Sequence, residues 1–401
     1  MLRPPDLHPR RRAEVAAGLL AVGAVLAACA GAPALGSADR AHPAAGLTGS
    51  PAPGTPAGTA SSTAAGRPAG TTPPPTPGPP TPGTPTRTPR GPIRLAFAGD
   101  VHFADQVAAL LDHPQDSLAD LRPFLAGADL TVVNLETAIT TRGTPQAKKY
   151  HFRTAPAALD ALRAAGVDAV TMANNHAVDY GEVGLKDTLA ARAASPVPIV
   201  GIGKDAAAAY APAMFDVRGL KIALLGATQV PDWTRATWPA KANRPGVALS
   251  LPGDRLLAAV RAARKKADVV VVYLHWGTNY VNCPDADQVR TMTALRKAGV
   301  DIIVGAHAHR IQGSGWMGKT YVAYGLGNFI WYGSQEPDSR TGVLTVTLDA
   351  KGRPVDQAWQ PLLVSPDGVP RPPDAAGQAR IEAGWLAARR CAHLSSAPGT
   401  S

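Results

Sequence analysis

The sequence predicts an α/β fold of doubly wound type, on three observations. Short apolar runs rich in Val and Ile recur at residues 94–99, 130–133, 169–173, 269–274, 302–305 and 322–327. Helix-forming stretches separate several of them, at residues 155–165, 183–194, 256–266 and 287–298. Runs of that length between helices read as buried strands. Each run also stops at residue types that ligate metals or donate hydrogen bonds. Open α/β sheets bind ligands beyond the carboxyl ends of their strands. One rim is therefore expected to carry the chemistry.

The folded part does not start at residue 1. Residues 1–28 read as an export signal, with Arg10, Arg11 and Arg12 ahead of a short apolar stretch from Ala16 to Ala27. That stretch is too short for a comfortable membrane span. It ends Leu26-Ala27-Ala28-Cys29, which resembles the lipobox of bacterial lipoproteins. The resemblance implies lipidation of Cys29 and attachment to the outer face of the membrane. An ordinary cleaved secretion signal with a chance cysteine reads the same way. Residues 29–92 are rich in Pro, Thr, Gly, Ala and Ser and nearly devoid of large apolar side chains. Such a tract cannot offset its chain entropy by burial. It is expected to be a disordered linker biased to polyproline II, reaching roughly 190 Å if fully extended at about 3.1 Å per residue.

Charge has to be divided along the chain. The whole chain has 40 basic and 30 acidic residues. The signal takes four basic and two acidic of these and the tract takes four and one, leaving 32 against 27 for the remainder. No basic run interleaved with aromatics stands out there, which argues against a nucleic-acid partner. Residues 93–364 are then expected to form one domain, with residues 365–401 a tail holding a short surface helix at 375–388 and a disordered end from 395. Residues 219–229 read as another strand, and residues 341–348 as an antiparallel strand leaving the site. Cys283 and Cys391 lie far apart in the sequence. A disulfide suits an exported protein, and two free thiols fit equally well.

The strand ends carry the chemistry. Asp100 and His102 are two residues apart after the first run, so in extended chain both point the same way. His307 and His309 repeat that spacing, with Gly305 ahead of them to let the backbone turn. Glu136, Asn175 and His275 follow other runs. Imidazole and carboxylate donors on separate strand ends suit Zn²⁺, Mn²⁺ or Fe. Asn134, Asn174 and Asn328 either fix loops or hydrogen-bond a substrate, the first more in keeping with Asn134. Arg153 is placed to clamp a carboxylate or phosphate through its planar fork, or is a solvated loop charge. Trp276 and Tyr280 either wall a cleft or belong to the core.

The motifs Asp100-x-His102, Asn175-His176, His275 and Gly305-x-His307-x-His309 resemble, in order, those of calcineurin-like metallophosphoesterases. Together with Asn134-Leu135-Glu136 and residues 150–153, 173–181, 275–280 and 324–329, they more closely resemble the CapA-type capsule synthesis proteins linked to poly-γ-glutamate. The resemblance spans residues 93–333. It implies a four-layer αββα sandwich. It implies one metal held by Asp100, His102 and His309 and a second held by Asn175, His275 and His307. Glu136 stands where phosphoesterases use a bridging Asp, a departure that bears on whether one ion or two is held. His176 matches the position of the general acid, and Asp179 either orients it or is a surface carboxylate. The expected function is synthesis, export or processing of an anionic capsule-type polymer by a lipid-anchored metal-dependent hydrolase, with synthase subunits as partners. The alternative is a non-catalytic accessory that binds the polymer.

Overall fold

A computed structural model describes residues 91–250, 254–333 and 335–399. The export signal, Cys29 and all but the last two residues of the linker lie outside the described residues.

In chain order the first strands are β1 (Ile93–Val101), β2 (Leu130–Leu135), β3 (Ala138–Ile139), β4 (Arg153–Thr154), β5 (Ala169–Thr171) and β6 (Ile199–Val200). Next come β7 (Ile202–Gly203), β8 (Ala213–Val217), β9 (Leu220–Thr228), β10 (Gly246–Val247), β11 (Val269–Trp276) and β12 (Ile302–His307). The last are β13 (Ser314–Met317), β14 (Thr320–Ala323), β15 (Asn328–Ile330), β16 (Arg340–Leu348), β17 (Pro354–Val364) and β18 (Pro370–Arg371). The helices are α1 (Arg122–Leu125), α2 (Ala157–Ala164), α3 (Gly181–Ala194), α4 (Ala206–Ala209), α5 (Trp233–Thr237), α6 (Arg255–Arg264), α7 (Ala286–Ala298) and α8 (Ala375–Cys391). One sheet runs β18-β17-β16-β1-β2-β5-β6, with β15 also paired to β1. The other runs β13-β14-β12-β11-β9-β8.

Strand alternation explains the layering. On β1, Ile93, Leu95 and Phe97 point into an apolar layer shared with Val269, Val271 and Tyr273 of β11. The intervening Ala96, Ala98 and Val101 point the other way, onto α2 and its neighbours. On β11, Val270, Val272 and Leu274 face α6 and α7. Both faces of both central strands are therefore buried, which is why these strands read as unbroken apolar runs. The result is the expected αββα sandwich. β1, β2, β5 and β6 are mutually parallel, as are β9, β11 and β12. Their carboxyl ends supply the candidate residues.

The chain beyond residue 364 differs from a loose tail. α8 runs 17 residues and buries Ile381 and Trp385 in the layer between the sheets. Trp385 stacks on Trp359 at 4.1 Å between ring centroids. The expectation of a surface helix overlooked the four-residue spacing of Ile381 and Trp385, which puts both on one face. Ser395, expected in a disordered end, exchanges two backbone hydrogen bonds of 2.9 Å with Trp316; residues 400–401 lie outside the described residues. A Cys283–Cys391 disulfide with Cα atoms 5.7 Å apart ties α8 to the loop after β11. Among the described residues no helix is long and apolar enough to cross a membrane.

Candidate metal centre

Asp100 ends β1 and is fully buried. Its Oδ1 accepts from Asn134 Nδ2 at 2.8 Å and its Oδ2 accepts from the His307 amide at 3.0 Å. Burial pushes its carboxyl up, but contact with His309 and the charge of His275 more than reverse this, so it stays ionised. Asn134 also donates to His275 Nδ1 at 3.1 Å and accepts from Asn174 Nδ2 at 3.2 Å. One buried amide thus joins three strand ends.

Two overlapping donor groups form. Asp100, Glu136 and His275 offer atoms within 4.8 Å of one another, and so do Glu136, His307 and His309. Glu136 belongs to both, which suits a shared ligand. Both its oxygens are buried without a hydrogen bond, although Oε1 lies 3.3 Å from His275 Nε2 in poor alignment. His307 Nδ1 is likewise buried and unpartnered. Burial, then the Asp100 charge, pushes Glu136 well above the usual carboxylate range. Burial drives His307 well below its usual value and His275 down to about 4. These orphaned atoms, each costing ~1–3 kcal/mol, fit a divalent cation.

Tautomers follow from the hydrogen bonds. Asn134 donates to His275 Nδ1, so the proton sits on Nε2 and reaches Asn175 Oδ1 at 2.6 Å. A cation would replace that proton between the two candidate ligands. His309 Nδ1 donates to Asn328 Oδ1 at 2.7 Å, leaving Nε2 as a free ligand atom. Asn328 therefore orients a ligand from the cleft wall. His307 and His309 have φ of 90° and 51°, rare for residues other than glycine and typical of strained functional backbone. Gly305 has no such φ; a Cβ there would lie 2.0 Å from the Tyr324 oxygen, so its need is close approach rather than a turn.

Two expectations need correction, and a third residue, His102, falls in neither donor group although its Nε2 is buried and unpartnered like His307 Nδ1. The His102 Nδ1 accepts from the Ala104 amide at 3.0 Å, which leaves Nε2 as the protonated nitrogen of the neutral ring. The ring stacks on Phe152 at 4.4 Å and meets the edge of Trp331 at 4.2 Å, and burial lowers it to about 3. Arg153 does not reach the rim: Phe152 points into the site, and Arg153, next on the extended chain, goes to the other side and lies over the Tyr180 ring at 4.8 Å. Asn174 spends both amide hydrogens on Asn134 and the Leu135 oxygen, its Oδ1 accepts from the His176 amide, and it is fully buried, so it fixes the turn instead of facing a substrate. Trp276 is core, with Nε1 donating to the Tyr324 oxygen at 2.8 Å, whereas Tyr280 lines the cleft.

His176 faces the same centre. Its Nε2 lies 3.7 Å from Glu136 Oε1, and its Nδ1 is 2.7 Å from Asp179 Oδ2. Asp179 is fully buried and lifted to about 6 by burial, against the pull of Lys148. Lys148, unmarked in the sequence, donates to Asp179 Oδ1 at 2.6 Å and to the Asn175 oxygen at 2.7 Å. A loop without periodicity offers no signal for it. The cleft over the centre holds ≈ 290 Å³ and is walled by Tyr150, Tyr280, Trp331 and Tyr332, with Trp233, Asp232 and Lys149 at its mouth.

Residues 94–332 match the family model described as bacterial capsule synthesis protein PGA_cap. The chain belongs to this family. The matched range contains every donor described above. Among curated relatives, the PGA biosynthesis protein CapA of Bacillus subtilis is 34% identical over 59% of this chain and 62% of its own length. The capsule biosynthesis protein CapA of Bacillus anthracis is 33% identical over 52% of each chain. A probable polyglutamine synthesis accessory protein of Mycobacterium tuberculosis is 30% identical over 59% of this chain and 66% of its own. The chain thus spans between about half and two thirds of the length of these three relatives.

Proposed function

We propose that this PGA_cap protein is a metal-dependent hydrolase acting on an anionic capsule-type polymer or its phosphoester-linked form. The observation that carries the reading is a proton-carrying pair, His176–Asp179, aimed at the same Glu136 that joins both donor groups. When bound, a divalent ion (Mn, Zn or Fe) supplies Lewis acidity there and makes a nearby water a better nucleophile. Asp100, Glu136, Asn175, His275, His307 and His309 would hold one or two such ions. His176 keeps Nε2 turned to the centre because Asp179 holds Nδ1. Burial keeps its imidazole neutral; an anionic substrate beside Nε2 favours the protonated form that hands a proton to the leaving oxygen. The aromatic wall gives the polymer a surface to lie against, and the exposed Lys149 offers it a positive charge.

We also propose attachment through lipidated Cys29 to the outer face of the cell membrane, with polymer synthase subunits as partners. Cys29→Ser is then expected to move the protein from membrane to medium; a protein already in the medium would mean simple secretion. A second reading, a polymer-binding accessory without turnover, is supported by the likeness to the mycobacterial protein, a probable polyglutamine synthesis accessory protein. Elemental analysis of the chain purified without chelator, followed by assay of wild type and His176→Ala on phosphoesters and γ-glutamyl peptides, separates the two. Turnover that falls by about 10²–10⁴ in His176→Ala with metal retained supports the hydrolase. Polymer binding without turnover in either supports the accessory.

A further inference from the structure

We propose that Lys148 is a positioning residue that locks Asn175, His176 and Asp179 into one working geometry. The inference deepens the hydrolase reading and rests on it only for its kinetic arm. Lys148 comes from the loop before β4, and its side chain is 14% exposed. An ammonium has three donors and no acceptor. Two are spent at hydrogen-bond distance, on Asp179 Oδ1 at 2.6 Å and the Asn175 oxygen at 2.7 Å. The remaining side faces Asp232 at 4.0 Å, the residue that caps α5.

Each contact fixes a different member of the site. The Asn175 oxygen also accepts from Thr234 Oγ1 at 2.7 Å, so donors from two segments pin its backbone while its Oδ1 points at His275. Asp179 uses three of its roughly four lone-pair directions: Oδ1 takes Lys148, and Oδ2 takes the Phe152 amide at 2.7 Å as well as His176 Nδ1. Among the described residues, no cation other than Lys148 and His176 pairs with Asp179. Lys149 cannot substitute, because it sits over the Tyr150 ring at 4.9 Å, and Arg153 is occupied on Tyr180. Without the Lys148 ammonium, a fully buried carboxylate faces a neutral imidazole with no countercharge. It must then take up a proton, which weakens its hold on Nδ1, or turn away, which releases Nδ1 and lets the imidazole rotate.

The test uses the full chain, first freed of metal, and proton NMR in water. A hydrogen-bonded imidazole N–H gives a far-downfield signal, assigned to His176 by its absence in His176→Gln. The signal is expected in wild type and in Lys148→Arg, and lost in Lys148→Met and Lys148→Gln, two neutral variants of which either suffices if one fails to fold. In the metal-loaded protein, with bis(p-nitrophenyl) phosphate as probe, kcat is expected to fall by about 10–100-fold in the neutral variants. With metal added to saturation, KM stays as in wild type, and Lys148→Arg recovers most of the rate. An unchanged downfield signal in a folded neutral variant overturns the proposal. So does a rise in KM at unchanged kcat, which would make Lys148 a substrate contact. If wild type shows no turnover, the hydrolase reading fails and the NMR comparison alone decides the role of Lys148.

Discussion

Replacing Glu136 with glutamine sets two opposed effects against each other in one side chain. Without a cation, Glu136 is a buried carboxyl with both oxygens unsatisfied, close to the ionised Asp100. Glu136→Gln removes the charge and keeps the shape. The amide is still an unpartnered polar group, so the gain is the charge part of the desolvation cost, on the order of the ~1–3 kcal/mol of an unsatisfied buried group. A folded region of roughly 300 residues, at about 2.1 cal/mol/K per residue, has an unfolding entropy near ~0.6 kcal/mol/K, so ~2 kcal/mol shifts Tm by about 3 °C. The pH dependence has a definite sign. The folded-state value of Glu136 is raised above the ordinary one, so the protonated form favours folding. That contribution is complete below the unfolded value and is lost as pH rises through the raised folded value. Metal-free Glu136→Gln should therefore melt above wild type at pH 8, with the gap closing in acid. With metal bound the order should reverse, because the variant gives up a charged shared ligand. Thermal melts at pH 5 and pH 8, with and without chelator, measure all four states. A metal-free variant that melts below wild type at pH 8, or a gap independent of pH, would refute the reasoning.

Three further outcomes are expected. His307→Gln should lower bound metal, measured by elemental analysis, far more than His102→Gln, because the His102 Nε2 carries its proton and lies outside both donor groups; equal losses would restore His102 as a ligand. Arg153→Ala should leave turnover and KM unchanged, losing only an exposed cation–π contact of about 0.5–1 kcal/mol over Tyr180, and a raised KM would return it to the substrate path. Cys283→Ser combined with Cys391→Ser opens a link across 108 residues and should cost ~2–5 kcal/mol, a fall of about 3–8 °C in Tm that thiol reduction of wild type reproduces. No shift in either sample would show that the bridge adds nothing to stability.

The strands and the rim were legible because one physical fact imposes both. β1 and β11 are buried on two faces, so their sequences are continuously apolar, and the first polar residue after each run lies at the strand's carboxyl end. Asp100, His275 and His307 could be read in this way. Side-chain direction could not. Asp100 and His102 are two apart, yet β1 stops at Val101 and His102 turns into the aromatic packing of Phe152 and Trp331. The pairing of Cys283 with Cys391 depends on where α8 docks, which no local pattern encodes. β17 escaped because its burial is patchy along most of its length, with no clean alternation to mark it.

What the sequence hid most completely is Lys148, the residue behind the His176–Asp179 pair that the family resemblance had pointed to. A polymer-binding cation site needs donors and access, and the donor groups of Glu136 with the histidines would suffice for that. It has no need of a buried carboxylate behind an imidazole, nor of a lysine behind that carboxylate. Burying Asp179 and Lys148 costs desolvation that their mutual attraction only partly repays, and His307 and His309 add backbone strain at positive φ. A fold that keeps these costs concentrated around one imidazole is holding Nε2 of His176 at a fixed place relative to the donors. Fixed placement of a nitrogen that is to carry a proton to the leaving oxygen matters to bond cleavage, where an error of about 1 Å can cost 10²-fold in rate. It matters little to the grip on a flexible polyanion. The cluster of Lys148, Asp179 and His176 is thus the structural reason for preferring the hydrolase over the accessory, and its lysine lies in a loop where neither periodicity nor strand-end position could have announced it.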